Sequence, residues 1–339
     1  MIRSQSPRSN ANPFGPPGNG APLAISYIEV SMSKKTKIDA GGRTAWNRFI
    51  YNNNTVGHIF AAPFIIGFLV FTIIPMLSSL YYSCTDYNMI EKEHWIGLAN
   101  YANLFKDPRF LNSVRVTLQY VVLSVPLKLA FALFIAFLLT RPSKAVSFYR
   151  SLYYLPSLIG GSVAVALVWK ELFARKGLIN SVLGDFGIKT VNWFGNMSTA
   201  KWPIILMTVW QFGSSMLIFA AGLKEIPTSY YEAAKIDGAN GWQSFWKITM
   251  PCLSPIILFN LIMQLISSFM VFTQAFVITQ GGPNDATMYY ALYVYKQGIQ
   301  TRNMGYASAM SWVMLVIMST VTAIVFKTSN HWVFKESEG

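Results

Sequence analysis

The sequence predicts an all-α polytopic membrane protein with six transmembrane helices. Of its 339 residues, 53% are hydrophobic and only 12% are charged, about half of the roughly 25% that a soluble domain carries. The apolar residues are collected in six long segments, each close to the roughly 20 residues that a helix needs to cross a bilayer. Because only helices and closed barrels satisfy the backbone inside a membrane, apolar segments of this length indicate helices.

The first two predicted spans differ in the polar groups that they carry. Residues 59–82 are almost entirely apolar, and Pro63 and Pro75 lie near the ends of this segment or kink it. The second span, residues 111–139, contains Lys128 within its apolar run. A charged side chain is costly at this depth. We therefore expect Lys128 to snorkel towards the surface, to face the helix bundle, or to take part in function.

The remaining spans are predicted at residues 153–173, 203–222, 254–277 and 306–326. In the third span, Pro156 breaks the regular hydrogen-bond ladder, and the tandem Gly160-Gly161 permits another helix to approach closely. The sixth span ends at Lys327 and a short polar tail.

The fourth and fifth spans each carry a stripe of uncharged polar side chains, because such residues recur there at helical spacing. Hydrogen bonding between helices is the ordinary role of these groups. Two stripes on neighbouring spans also suit a passage for a polyhydroxylated solute, since amides bind hydroxyls and aromatic rings cover apolar faces. The predicted pathway residues are Trp210, Gln211, Ser215, Asn260, Gln264, Ser267, Phe272 and Gln274.

A polar, helix-prone segment, residues 223–251, separates these two spans. Residues 232–235 are good helix formers, and Pro227 precedes them as a start signal. Gly238 and Gly241 then interrupt the helix. The aromatic residues that follow would lie at the bilayer interface; they are Trp242, Phe245 and Trp246.

The composition argues against several other classes of protein. A net charge of +13 could indicate a nucleic-acid binder, but the basic residues are scattered between apolar segments and form no continuous patch. Cytoplasmic loops beside anionic lipid explain the charge better, so we expect membrane lipid and no nucleic acid as a partner. Two cysteines and three dispersed histidines form no metal-ligand spacing. No catalytic residues are predicted, because the 14 acidic residues lie almost wholly in loops.

The polar segment resembles the cytoplasmic EAA loop of ABC-importer permeases. The resemblance rests on Glu232-Ala233-Ala234, on Gly238 four residues after Ala234, and on the ending from Ile248 to Pro251. Further stretches resemble the carbohydrate branch, of oligosaccharide or maltose-permease type, in the same order; they are Trp95 to Tyr101, Gly177 to Asn180 and Thr279 to Pro283. We call residues 223–251 the coupling loop.

This resemblance implies the type I ABC-importer permease fold and a role as the transmembrane subunit of a binding-protein-dependent importer for a carbohydrate, in particular an oligosaccharide. It implies a second, homologous permease, a cytoplasmic ATPase dimer and an extracytoplasmic solute-binding protein as partners. The chain lacks a Gly-x-x-x-x-Gly-Lys-Ser/Thr sequence, so it is expected to bind no cofactor itself, and ATP and Mg would be bound by the partner ATPase. The implied ATPase-coupling residues are Glu232, Ala233, Ala234, Asp237, Gly238 and Pro251.

The predicted organisation is a flexible cytoplasmic tail (1–57), a permease domain (58–330) and a short cytoplasmic tail (331–339). The Pro- and Gly-rich start cannot bury enough apolar surface to fold alone, and Met32 is a possible natural start. The segments on the coupling-loop side hold 15 Lys and Arg against 9 in the opposite loops, which agrees with the positive-inside rule. The expected location is the cytoplasmic membrane of a prokaryote.

An ion-coupled secondary transporter that acts without an ATPase is the alternative. Such a protein is expected to carry acidic groups inside the membrane or matching interrupted repeats, and neither is evident in the sequence. Association with an ATPase separates the two hypotheses.

Overall fold

The computed structural model describes residues 53–140 and 145–334. Most of the predicted N-terminal tail, including Met32, and the last five residues lie outside the described residues. The predicted division of the chain at residues 57 and 330 therefore stays a prediction. The chain divides into two units, with the boundary between Leu69 and Val70.

The described part of the first unit is one helix, α1 (Asn53–Phe68), which contains Pro63. The rings of Phe64 and Phe68 stack on one face of it, with centroids 6.3 Å apart. A π-helical turn, Leu69–Ile73, follows this helix.

The second unit consists of helices and loops, and between its described residues there is an isolated β-bridge but no strand. Its first half contains α2 (Ile74–Ser83), α3 (Ala99–Leu104), α4 (Pro108–Leu138), α5 (Val146–Ile159), α6 (Val163–Leu172), α7 (Leu178–Asp185), α8 (Lys201–Trp210) and α9 (Gly213–Glu225). Its second half contains α10 (Thr228–Ile236), α11 (Gly241–Ser244), α12 (Met250–Phe269), α13 (Thr273–Ile278), α14 (Tyr290–Tyr295) and α15 (Met304–Ser329). Two π-helical turns, Phe245–Thr249 and Lys296–Gln300, precede α12 and follow α14.

The long helix α4 is the centre of the second unit. It begins at Pro108, and the Asp107 carboxylate caps it by accepting a hydrogen bond from the Arg109 backbone N–H. Helices α8, α9, α12 and α14 pack against it. The core at these contacts is close-packed and includes fully buried Tyr120 and Met216. Helix α15 packs against α2 and α3 instead.

Three of the six predicted spans are continuous helices, at Phe60–Ser83, Pro108–Leu138 and Met304–Ser329. The third and fourth predicted spans are bent helix pairs. The third consists of α5 and α6 with a bend of 100° between them, and the fourth consists of α8 and α9 with a bend of 42°. Counting each bent pair as one span gives up to six.

The bend in the third span lies at Gly160-Gly161-Ser162, whereas Pro156 lies inside α5. The Ser162 hydroxyl then restarts the helix by accepting a hydrogen bond from the Val165 N–H at 3.3 Å. In the fourth span, Gly213 allows the close approach of α5, since a Cβ atom there would collide with the backbone of Tyr153 and Tyr154.

The fifth span starts earlier than predicted and contains a break that was not predicted. Its helical run starts as early as Gly241 in the coupling loop and reaches Ile278. The regular helix α12 stops at Phe269, and residues 270–272 are irregular before α13 begins. Each of these three spans is thus broken part-way along its length.

Candidate functional site

One polar cavity of about 300 Å³ collects five of the eight predicted pathway residues. These five are Gln211, Gln264, Ser267, Phe272 and Gln274. The other residues that line it are Tyr120, Lys128, Gly161, Thr208, Ser268, Met270, Val271 and Thr273. The grouping of the two polar stripes around one space is what the sequence predicts.

The cavity lies where all three helix breaks meet. Gly161 comes from the α5–α6 break, Gln211 from the α8–α9 break, and residues 270–272 from the α12–α13 break. Irregular backbone at membrane depth is tolerated where it is buried in protein or lines a cavity. The breaks therefore bring backbone and side-chain polar groups to this cavity.

Hydrogen bonds around Gln211 hold the first two breaks together. The side-chain amide of Gln211 donates to the Gly160 carbonyl oxygen at 3.1 Å. The backbone carbonyl oxygen of Gln211 accepts from the Ser157 hydroxyl at 3.1 Å. The same hydroxyl accepts from the Ser214 N–H at 3.1 Å. The predicted close approach at Gly160 is confirmed, because a Cβ atom there would collide with the Gln211 side chain.

The two polar stripes also bond to each other and to α4. The Gln264 amide donates to the Ser215 hydroxyl at 3.1 Å. On the other side of the cavity, the hydroxyls of Tyr120 and Thr208 lie 2.6 Å apart. These bonds fix the positions of Gln264 and Thr208 before any solute is present.

Three predicted pathway residues do not line the cavity. Ser215 is fully buried and supports Gln264. Asn260 is buried, and its amide donates to the Ile256 carbonyl oxygen of its own helix at 3.2 Å. Trp210 packs against Trp169, with ring centroids 5.7 Å apart. All three have the structural role that is usual for polar and aromatic residues between helices.

Lys128 is the charged residue of the cavity. Its side chain belongs to α4 and is only 8% exposed. It makes no hydrogen bond or ion pair with any described residue. Of the alternatives open from the sequence, the structure thus favours the position that faces the bundle. Tyr120, eight residues earlier, was not predicted, although this spacing places both residues on one helical face.

The coupling loop forms two short helices joined by a tight turn. Helix α10 follows Pro227, and Gly238 ends it in the left-handed region with a φ of 78°. The Ala239 N–H donates to the Ala234 carbonyl oxygen at 2.8 Å, which closes the turn and satisfies the end of the helix. The predicted interruption at Gly238 is confirmed.

The coupling loop is also bonded to the fifth span. Asn240 and Gln243 form a capping box that starts α11. The hydroxyls of Tyr231 on α10 and Thr249 just before α12 lie 2.8 Å apart. Pro251 lies just after the π-helical turn Phe245–Thr249, inside the helical run that starts at Gly241. The hydrogen bond between Tyr231 and Thr249 ties α10 to the start of α12.

The outer surface of the coupling loop presents most of the predicted coupling residues. Glu232, Ala233, Asp237 and Gly238 are exposed, whereas Ala234 and Pro251 are half-buried. The most exposed large hydrophobic side chain is Ile236, at 87%. Ile236 was not among the coupling residues predicted from the sequence. The signal that could have identified it is an apolar residue within a polar segment.

The aromatic residues after the turn divide between two environments. Trp242 is 70% exposed and Trp246 is 50% exposed. Phe245 is half-buried and packs against Phe137 at the end of α4, with ring centroids 5.6 Å apart. The two tryptophans are thus exposed on the surface, whereas Phe245 is packed against α4.

The loop motifs outside the coupling loop are structural in this protein. The buried Asn100 amide donates to the carbonyl oxygens of Ser83 and Thr85 at 2.9 and 2.8 Å, and satisfies the end of α2. Asn180 bonds in the same manner to the backbone of Val191. The Thr287 hydroxyl donates to the Gly282 carbonyl oxygen at 2.7 Å. In each motif, a polar side chain forms hydrogen bonds with backbone groups of the adjoining loop.

Asp107 joins three elements next to these loops. Its carboxylate accepts hydrogen bonds from the hydroxyls of Tyr293 at 2.6 Å and Tyr306 at 2.9 Å. Partial burial acts to raise the pKa of Asp107, but these two bonds and the backbone N–H of Arg109 outweigh it and lower the pKa. Burial, followed by the bond to Asp107, raises the pKa of Tyr293 to about 12.

The chain matches known membrane proteins over most of its length. The model of the family described as "binding-protein-dependent transport system inner membrane component" matches residues 96–335. The chain is 52% identical over 296 residues to the probable ABC transporter permease protein YesP of Bacillus subtilis (strain 168), which covers 86% of this chain and 96% of that protein. It is 31% identical to the probable starch degradation products transport system permease protein AmyD of Thermoanaerobacterium thermosulfurigenes, over 86% of this chain and 96% of that protein.

Two further comparisons extend this picture. The arabinooligosaccharides transport system permease protein AraP of Bacillus subtilis (strain 168) is 31% identical, over 86% of this chain and 94% of that protein. A chain from the crystal structure of a bacterial ABC transporter involved in the import of the acidic polysaccharide alginate has the same fold, with a TM-score of 0.70 at 23% identity, over 81% of this chain and 95% of that chain.

Proposed function

The chain belongs to the family of binding-protein-dependent transport system inner membrane components, and we propose that it forms the translocation pathway for a carbohydrate, in particular an oligosaccharide. The predicted family is confirmed, and the fold is that of a type I ABC-importer permease. The carbohydrates named for two relatives, starch degradation products and arabinooligosaccharides, support this class of solute.

The observation that carries the proposal is the polar cavity at the three helix breaks. Amides of Gln211, Gln264 and Gln274 would donate to and accept from sugar hydroxyls. The ring of Phe272, which stacks against Phe276 with centroids 5.4 Å apart, would cover an apolar sugar face. Hydrogen bonds hold Gln211 and Gln264 in place, so little ordering of these two side chains is required when the solute binds.

The coupling loop would transmit the motion of an ATPase dimer to this cavity. Glu232 would make a polar contact with the ATPase, Ala233 and Ala234 would pack in its cleft, and Gly238 would shape the turn. Exposed Ile236 adds an apolar contact to this surface. The bond between Tyr231 and Thr249 leads from the loop to α12, and α12 carries Gln264 and Ser267. Movement of the loop would thus change the cavity as the spans alternate between inward-open and outward-open states.

The remaining partners follow from the same role. A second, homologous permease would complete the pathway, and an extracytoplasmic solute-binding protein would deliver the carbohydrate. ATP and Mg would be bound by the ATPase. Both termini and the coupling loop would lie on the cytoplasmic side of a prokaryotic cell membrane. An importer of this kind requires association with an ATPase, and the test measures this association.

The test is ATP hydrolysis in lipid nanodiscs by the chain assembled with its second permease, a candidate ATPase and the carbohydrate-loaded binding protein. Glu232→Arg and Ile236→Ser are expected to lower the stimulated rate about tenfold and to weaken co-purification of the ATPase. Ile188→Ser is the matched control, because Ile188 is 50% exposed in a loop remote in sequence from the coupling loop. Transport driven by an ion gradient without any ATPase would refute the proposal and favour the secondary transporter.

A further inference from the structure

Lys128 carries a charge that no described part of the chain compensates. Its side chain is more than nine-tenths buried and lines the polar cavity. None of the described residues around this cavity is an aspartate or a glutamate. Most of the side chain is removed from bulk water, and an ammonium group that faces such a cavity is costly unless an opposite charge, strong acceptors or water in the cavity satisfy it. The site therefore favours a ligand that brings a negative charge.

The neighbours of Lys128 define the rest of that ligand. Amide groups of Gln211 and Gln264 and the hydroxyl of Ser267 offer both donors and acceptors, whereas a small inorganic anion would need donors only. The ring of Phe272 adds an apolar wall. Hydroxyls, an apolar face and one anionic group occur together in a sugar acid.

The size and charge of the cavity further restrict the class of ligand that it can bind. Its volume of about 300 Å³ is at the small end of the roughly 300–1,000 Å³ that ligand pockets have, so it suits one end of an oligosaccharide. One lysine balances one carboxylate. A phosphate monoester would carry about −1.5 to −2 charges at pH 7 and would leave the cavity with excess negative charge.

We propose that the polar cavity binds a uronate unit of the transported oligosaccharide, with the Lys128 ammonium group as the counter-charge of its carboxylate. This inference rests on the proposed function and names its class of substrate. The competing partner for Lys128 is a carboxylate of the second permease. Assembly and solute preference distinguish the two.

The experiment measures uptake by the complete importer in proteoliposomes. The probes are di- to tetrasaccharides of galacturonate and of mannuronate, each beside the neutral oligosaccharide made by reducing its carboxyl groups. The wild-type complex is expected to take up an acidic member at least tenfold faster than its neutral counterpart. Lys128→Met is expected to abolish this preference and Lys128→Arg to retain most of it. Lys170→Met, which removes a half-buried charge from α6, is the matched control and is expected to leave the preference unchanged.

Each contrary result has a distinct meaning. A wild-type complex that takes up no acidic probe, or that prefers the neutral member of every pair, overturns the uronate assignment. A preference that persists in Lys128→Met would be set by the binding protein and also overturns it. Loss of the second permease from purified Lys128→Met complexes would assign Lys128 to the interface between permeases. Failure of the wild-type chain to assemble with any ATPase refutes the proposed importer itself.

Discussion

The side-chain amide of Gln264 lies 3.1 Å from the hydroxyl of Ser215 and donates a hydrogen bond to it. This bond joins α12 to α9 directly beside the polar cavity. Ser215 is fully buried, so the bond is shielded from solvent and fixes one wall of the cavity. Gln264 thereby bridges two helices and also lines the cavity.

Replacing both partners of this bond measures its strength. We expect Ser215→Ala and Gln264→Leu to show a coupling of about 0.6 kcal/mol, the average for hydrogen bonds between membrane helices. Thermal unfolding of the purified complex, analysed as a double-mutant cycle, gives this value. Gln264→Leu should also slow uptake several-fold more than Ser215→Ala, because only Gln264 lines the cavity. Ser214→Ala is the adjacent control, and equal uptake by both test variants would contradict the dual role of Gln264.

The turn of the coupling loop depends on the left-handed backbone of Gly238. A side chain in this conformation costs roughly 1–2 kcal/mol, so Gly238→Ala is expected to weaken binding of the ATPase about tenfold. Gly241→Ala is the matched control, since a Cβ atom at either glycine meets no neighbouring atom but only Gly238 has a positive φ. Titration of the ATPase against the permease complex measures both. Equal effects of the two substitutions would show that backbone strain is not the cause.

Asp107 makes the stability of the fold depend on acid. Its pKa is below the ordinary value of 3.8 in the folded protein. The carboxylate therefore stabilises the fold above about pH 4, and this contribution is lost as the pH falls through 3.8 towards the folded pKa. Asp107→Asn is expected to lower stability by about 1–3 kcal/mol at neutral pH and to flatten the dependence below pH 5.

The measurement is the unfolding temperature of the purified complex between pH 3 and pH 7. Asp185→Asn, which changes an exposed carboxylate at the end of α7, is the control and should follow the wild-type curve. A steep acid transition that persists in Asp107→Asn would assign the effect to other carboxylates.

The buried amide of Asn100 satisfies the end of α2. Removing it leaves the Ser83 and Thr85 carbonyl oxygens without this donor, so Asn100→Ala is expected to destabilise the complex by about 1–3 kcal/mol. Asn103→Ala, on the same short helix but exposed, should change stability by less than about 0.5 kcal/mol. Unfolding in denaturant compares the two, and equal losses would mean that Asn100 acts through helix propensity alone.

Several features were predictable because they depend on local pattern. The apolar lengths predict the spans, and three of them are continuous helices as expected. Pro227, helix-forming residues 232–235 and Gly238 predict a short helix with a defined end, and α10 has that form. The spacing of polar residues on two spans predicts a shared polar space, and four polar pathway residues together with Phe272 line one cavity.

Other features depend on contacts between residues far apart in the chain. The sharp bend of the third span lies at Gly160, where the amide of Gln211 reaches the free carbonyl, and the glycine pair alone does not specify its angle of 100°. Contacts between distant residues also explain why three predicted pathway residues do not line the cavity. Their residue types would suit a pathway, but they pack between helices; they are Ser215, Asn260 and Trp210. Periodicity assigns a residue to a face of its helix but not to the partner on that face.

The sequence by itself determined the class of fold, the number of spans and the place of the coupling loop, because apolar length, helix propensity and turn residues act over a few neighbouring positions. Only the tertiary structure decided that three helix breaks meet at one point, that Lys128 faces the space between them, and that Ile236 is exposed. The physical reason is that burial and charge compensation depend on which segments pack together, and distant side chains such as Gln211 and Gln264 settle that packing.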